Sequence, residues 1–318
     1  MLRAGELVAG VVLWLCALQV QAATFAYITN QGSHDVSVVA LDSLRVVATL
    51  PVGRSPAGVV ASTTGQVYVS NPDSRTVSVI DMAGQRVVET WPAGSGPVGL
   101  DVSPDGRTLC VADWYANELL LIDTRHPQTT AVAIAVGHAP AGVAVHNEGA
   151  LAFVAERDDN SVAVVSLPLR RVIGRIAVGR HPFALLLDAP RQRLYALNVQ
   201  SDDVSVIDIA GLAVIATIPV GKAPYGAALA LQGRLLYVSN QHDDSVSVID
   251  AEQLRLQHTL QGFGYPEGVA AEGERVYVVN WMDDSLSVLD AASGRALAQI
   301  ATGKNPRGFG AFVGAVAP

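Results

Sequence analysis

The side chains best placed for chemistry come in pairs, each set just before a proline and, in all but the sixth, just after a glycine. In chain order they are Arg54-Ser55, Ser95-Gly96, His138-Ala139, Arg180-His181, Lys222-Ala223, Gly264-Tyr265 and Lys304-Asn305. Phe183, Tyr225, Glu267 and Arg307 follow four of the prolines directly. Arg54, Arg180, Lys222, Lys304 and Arg307 supply five fixed positive charges against the single carboxylate of Glu267. Tyr225, Tyr265 and Trp281 add apolar walls. Cations beside aromatic rings suit carboxylates, phosphates or an acidic segment of a partner protein. The alternative is that these are solvated turn residues, with Lys and Arg serving solubility.

Four histidines, His34, His138, His181 and His242, fall in loops that belong with these turns. Histidines can ligate a metal or a haem, or act as an acid–base pair, but these four show no ligand spacing. The chain has no nucleophile motif, no CxxCH haem attachment site and no phosphate-binding glycine loop. Adjacent aspartates at 202–203, 243–244 and 283–284 recur as part of a turn, which is not how a catalytic pair is built. The reading is therefore of binding without bond-making. No catalytic residue, metal or cofactor is assigned, and the binding set is Arg54, His138, Arg180, His181, Lys222, Tyr225, Tyr265, Trp281, Lys304 and Arg307.

What positions these residues is a repeat. An aromatic marker, or a stand-in for one, lies at Tyr27, Tyr68, Cys110, Phe153, Tyr195, Tyr237 and Tyr277, at steps of 40 to 43 residues. Three residues later stands Asn30, Asn71, Asp113, Glu156, Asn198, Asn240 or Asn280. Ten residues beyond these stand Ala40, Asp81, Asp123, Ser166, Asp208, Asp250 and Asp290. The prolines of the Gly-x-x-Pro turns share the period. Seven copies with a period in the forties indicate a propeller. Within one copy, "YGAALAL" suits a strand buried on both faces, while "LLYVSN", "SVSVID" and "LRLQHTL" supply three more strands. The expected fold is all-β, a seven-bladed β-propeller with four antiparallel strands, A to D, in each blade.

The recurrent Asn and Asp are expected to close turns by accepting nearby backbone N–H groups. The repeat opens at a B strand and ends on an A strand, so the C-terminal strand should complete the first blade and close the ring. In such a ring the D–A turns and B–C loops share one face. There a basic centre would sit inside a ring of B–C loop aspartates, with Trp114, Tyr115 and Trp281 overhanging it.

Bulk properties narrow the partners. Half the residues are hydrophobic and the net charge is −8, which argues against nucleic acid and anionic membranes. Residues 1–22 carry Arg3, an apolar run from Leu7 to Leu18 and small residues at 20 and 22. They are expected to form a signal peptide cleaved before Ala23, leaving residues 23–318 as a single propeller domain with no membrane span. The mature protein is then periplasmic, secreted or at the cell surface, and a monomer. Cys110 would be its only cysteine, a small buried hydrophobe in place of the marker aromatic.

"YITN", "YVSN" and "YVVN", each followed by "VSV" or "LSV" and then Asp in most copies, resemble the YVTN β-propeller repeat. "VGRSPAGV", "VGHAPAGV" and "VGKAPYGA" carry the same resemblance, which covers essentially all of residues 23–318. Copies three and four depart from it with "LCVAD" and "AFVAE", and "GFGYP" replaces the usual Val-Gly turn before Pro266. The resemblance implies an exported or cell-surface propeller. The function expected is recognition of an anionic small molecule, or of an acidic segment of a periplasmic protein, through the turn face. Two other classes stay open: an enzyme or accessory subunit in periplasmic quinone-linked oxidation or lactonase- or lyase-like chemistry, and an envelope adhesion protein.

Overall fold

Each repeat is a run of short β-forming segments separated by turn residues. The Val-Ser-Val alternation puts a branched apolar side chain on one face of the sheet and a small hydroxyl on the other. In a computed structural model, which describes residues 23–316, these segments form seven four-stranded antiparallel sheets. Blade six shows the pattern, with strand A at Pro224–Ala230, B at Leu235–Asn240, C at Ser245–Asp250 and D at Arg255–Gln261. Among the described residues the only helical turns are three short 3-10 turns, Pro72–Ser74, Arg157–Asp159 and Gln241–Asp243. No helix of the described residues is long and apolar enough to cross a membrane. The signal peptide and its cleavage site lie outside the described residues.

The core lies between blades. Tyr195, Leu197, Val204 and Val206 of blade five pack against Leu236, Val238 and Ile249 of blade six. The marker aromatics Tyr27, Tyr68, Phe153, Tyr195, Tyr237 and Tyr277 are among the largest fully buried side chains. Cys110, in the same position in blade three, is fully buried, and burial pushes its thiol pKa up. D strands form the outer edges and alternate between half-buried and exposed residues, as in blade five. A strands crowd the axis. A Cβ on Gly99 would run into the carbonyl oxygen of Ala141 on the next blade, so the strands can approach this closely only without a side chain there.

Closure follows the expected phase, with one difference. The sheet of blade one is ordered C-terminal strand, B, C, D, and Val313–Val316 pairs with Ala23–Ala26. The segment before it, Pro306–Phe312, does not form a regular strand. Gly310 has φ of +119°, which turns the chain off the ladder and across to blade two. There the amides of Val59 and Ala61 donate to the carbonyls of Phe309 and Ala311, while the Tyr27 amide donates to Phe312. The last segment thus holds blades one and two together, and Phe312 is fully buried among residues of blades one, two and seven.

Removing Pro306–Pro318 strips these amide partners and opens the cluster around Phe312. The expected outcome is loss of the single cooperative melting transition, with aggregation, in calorimetry and circular dichroism. An unchanged melting profile in the truncated protein would refute this account of closure.

Candidate functional site

The face bearing the Gly-x-x-Pro turns is built by a repeated set of bonds between backbone and side chains. The residue just before the proline is left-handed in six turns, at Ser55, Ala139, His181, Ala223, Tyr265 and Asn305, with φ of 50–54°. The amide of each is captured by a side chain from the B–C loop of the blade that the turn leaves. Those acceptors are His34, Asn117, Asn160, Asp202, Asp244 and Asp284. The residue two before the proline gives its amide to the B–C loop of the blade that the turn enters. Arg54, His138, Arg180, Lys222, Gly264 and Lys304 donate to Ser74, Asp159, Ser201, Asp243, Asp283 and Ser33 respectively. Neighbouring aspartates such as Asp243 and Asp244 therefore serve two different turns, one on each side of their blade. Blade two carries Arg75 where an acceptor should stand. In compensation, Asp113 replaces the blade-three Asn and takes the amides of both Ser95 and Gly96.

The asparagines act differently from the expectation that they accept backbone amides. The Nδ2 of Asn240 donates to Ser245 and Ser247 on strand C, and Asn30, Asn71, Asn198 and Asn280 repeat the arrangement. At this position the carboxylates Asp113 and Glu156 take turn amides, whereas the asparagine Nδ2 groups face the side-chain oxygens of strand C and donate to them. The aspartates at the end of strand C do accept turn amides, as with Asp81 and Gly84 or Asp208 and Gly211.

The ten candidate side chains fall into groups. Arg54, Arg180 and Lys222 are exposed, and among the described residues no carboxylate pairs with them. The guanidinium groups of Arg54 and Arg180 donate to the carbonyls of Asp73 and Gln200. Lys304 is exposed but bonded to Asp284, whose pKa this bond lowers. Exposed His138 bonds Asp159 at 2.9 Å, which raises the imidazole pKa. His181 is half-buried, and burial followed by the Arg157 charge lowers its pKa. Tyr265 packs between His242 and Trp281, with ring centroids 5.6 Å from each, and its hydroxyl meets His242 Nε2 at 3.3 Å.

Arg307 and Tyr225 belong to a buried cluster at the upper end of the axis. Arg307 Nε donates to Glu267 at 2.8 Å, and its Nη2 donates to Tyr225 Oη at 2.8 Å and to Glu267 at 3.3 Å. Gln241 donates to Glu267 at 3.0 Å. Burial raises the pKa of Glu267, and the Arg307 charge acts against that rise. Below the cluster Phe183, Tyr225 and Phe309 pack ring on ring at 4.7–5.6 Å, with Trp114 against Phe183. Two of the five cations, Lys304 and Arg307, are thus already matched by carboxylates.

Charge without a partner gathers elsewhere. Arg54 and Arg75 line a hollow of about 560 Å³ together with His34, Pro72, Asp73, Ser95 and Tyr115. Asp73, its one carboxylate, accepts the Ser55 hydroxyl at 2.6 Å, so two guanidinium groups face one anion. Arg75 was absent from the residues singled out by sequence, although its break with the His/Asn/Asp pattern of the other loops marks it. Among the described residues no group of three or more His, Cys, Asp or Glu gathers closely enough to hold a metal ion.

Two substitutions test these roles. Asp244→Ala should cost about 1–2 kcal/mol by leaving the left-handed Tyr265 amide unpaired, while Asp244→Asn should be nearly neutral, as judged by urea denaturation. Equal losses in both would mean that charge matters and the cap does not. Arg307→Met should cost more, about 3–5 kcal/mol, because Glu267 is left buried without its partner. A loss near zero would show that the pair is dispensable to closure.

A family model described as a YNCE-like beta-propeller matches residues 61–150. No curated protein matches the sequence. Among solved structures, Kuenenia stuttgartiensis hydrazine synthase is 21% identical with a TM-score of 0.74, over 84% of this chain and 92% of that one. A functionally unknown protein from Desulfotomaculum acetoxidans DSM 771 is 14% identical with a TM-score of 0.77, over 92% and 99%. Dihydro-heme d1 dehydrogenase NirN in complex with DHE is 18% identical with a TM-score of 0.68, over 89% and 74%. At these identities the likeness carries the fold and no activity. The ring makes the chain a seven-bladed β-propeller, and over residues 61–150 it is similar to the YNCE-like beta-propeller family.

Proposed function

We propose that the protein is an exported, periplasmic binding or scaffold propeller that recognises an anionic ligand, or an acidic segment of a partner protein, on the face of its Gly-x-x-Pro turns. The observation that carries this is the hollow where Arg54 and Arg75 meet His34 and Tyr115 with only Asp73 in opposition. Arg180 and Lys222, exposed on later turns and free of carboxylate partners, extend the positive surface on a chain whose net charge is −8. Solubility would be served better by more acid on such a chain, so cations held on one face call for another reason. A bound anion would gain charge-assisted hydrogen bonds from the guanidinium groups, and Tyr115 would offer it a wall. Turns fixed by side chains on both flanks give recognition on a rigid scaffold, which lowers the ordering cost of binding.

A second reading, an accessory role in periplasmic oxidation, draws on two similar folds, a hydrazine synthase and a dihydro-heme d1 dehydrogenase. A chromophore in the visible spectrum of protein purified from its native host would favour it.

The binding proposal is tested by affinity capture from the native periplasm, with mass spectrometry of bound proteins and small molecules. Arg54→Ala with Arg75→Ala, and separately Arg180→Ala with Lys222→Ala, should each weaken capture while leaving melting unchanged or slightly raised. A partner that both double variants retain in full, or that docks on the opposite face, would overturn the proposal.

A further inference from the structure

Below the aromatic cluster the axis holds a second cavity of about 410 Å³, walled by the A strands of blades three to seven and by the segment that closes blade one. Its lining is almost wholly hydrocarbon or bare backbone, including Leu186, Leu187, Leu229 and Phe309. Asp101 is the one lining residue with a polar side chain. The repeat makes this departure plain. Four residues after each proline the chain carries Val60, Asp101, Ala144, Leu186, Ala228, Ala270 and Gly310, so six blades put a small or apolar residue where blade three puts an acid.

Asp101 has two contacts. Its Oδ1 accepts the amide of Val102 at 2.8 Å, and its Oδ2 accepts the amide of Val145, on the A strand of blade four, at 2.7 Å. Both are neutral donors, and each oxygen keeps a further lone pair. Burial pushes the carboxyl up to about 6 against the pull of these two amides, and no cation is among the groups acting on it. An anion in apolar walls without a counter-charge is disfavoured, and an incoming cation would relieve it.

We propose that this axial channel is a binding site for a small amphipathic amine, its ammonium group on Asp101 and its hydrocarbon body against the leucines and Phe309. The volume falls within the range of small-molecule sites, and one charged group in an apolar wall fixes the orientation of a ligand. An ammonium ion reaches the free lone pairs of the carboxylate while both amide bonds stay in place. This site is separate from the turn face. It selects the opposite charge, and the packed rings of Phe183, Tyr225 and Phe309 stand between the two.

Three probes that share one tail test the idea by calorimetric titration of the full protein: 4-phenylbutylammonium, 4-phenylbutanol and 4-phenylbutanoate. The ammonium should bind roughly tenfold or more tightly than the alcohol, as expected for a charge-assisted hydrogen bond, with the carboxylate weakest. Asp101→Asn should reduce the ammonium to the affinity of the alcohol and leave the alcohol unchanged. Ala271→Phe, which fills the channel, should abolish both. If Asp101→Asn does not fold, the order of the three probes on the natural chain and its loss in Ala271→Phe still decide. Equal affinity for the three head groups, no binding of the ammonium, or binding that survives Ala271→Phe would overturn the proposal and leave Asp101 as a clamp on the Val145 amide alone.

Discussion

Each blade must hold its neighbours through amides that a Gly-x-x-Pro turn cannot pair within itself, and the turn face follows from that constraint. A non-glycine residue in the left-handed region costs about 1–2 kcal/mol. Leaving its amide unbonded and shielded from water would add about 1–3 kcal/mol more. The protein meets both with one short side chain per turn, an Asp, Asn or His that is itself left-handed in the B–C loop. Because each loop serves the turns on both sides, one repeat unit contributes to two joints. The acidic ring is therefore mostly framework. Its carboxylates are engaged by backbone amides, so the cations beside it are not automatically neutralised.

The axis imposes a second constraint, which the turns cannot solve. Seven innermost strands converge, and glycine allows most of them to approach. The segment from the far end of the chain must still enter last, between blades already in place. Its irregular path, bonded to blades one, two and seven, is the compromise. Arg307 fits that role. A half-buried guanidinium on the closing segment bonds Glu267 of blade seven and Tyr225 of blade six, so closure is registered by a specific polar contact as well as by apolar packing. A hydrophobic pair would pack as well but would tolerate slippage, and geometry-sensitive bonds of this kind favour a single register.

Much of this was legible in the sequence because a repeat multiplies weak signals. One Val-Ser-Val alternation predicts a strand poorly, whereas seven in phase fix the blade, the ring and its closing phase. Side-chain pairing was less legible. Lys304 and Arg307 read as free cations because Asp284 and Glu267 lie 20 and 40 residues away: Asp284 meets Lys304 only when blade seven folds, and Glu267 meets Arg307 only when the ring closes. The asparagines read as caps because that is what Asn does beside a turn, yet a buried Asn on strand B meets strand C hydroxyls first. Arg75 and Asp101 were visible as departures from the repeat, but a departure has no meaning until the surface it faces is known.

The aromatic cluster then decides how the two ends of the molecule can act. Tyr225 is 5% exposed, its hydroxyl is taken by Arg307, and its ring lies against Phe183 and Phe309. It serves as a floor to the turn face, while Phe309 also lines the channel below. A ligand on the turn face would meet exposed cations and rigid turns, whereas one in the channel would meet hydrocarbon and one acid. The A strands of blades five to seven and the closing segment run through both, and in the closing segment Arg307 faces upward and Phe309 downward, two residues apart. Coupling through the closing segment would require it to shift, which would break the Arg307–Glu267 bonds and uncover Phe312. Those costs amount to several kcal/mol, which opposes coupling by that route.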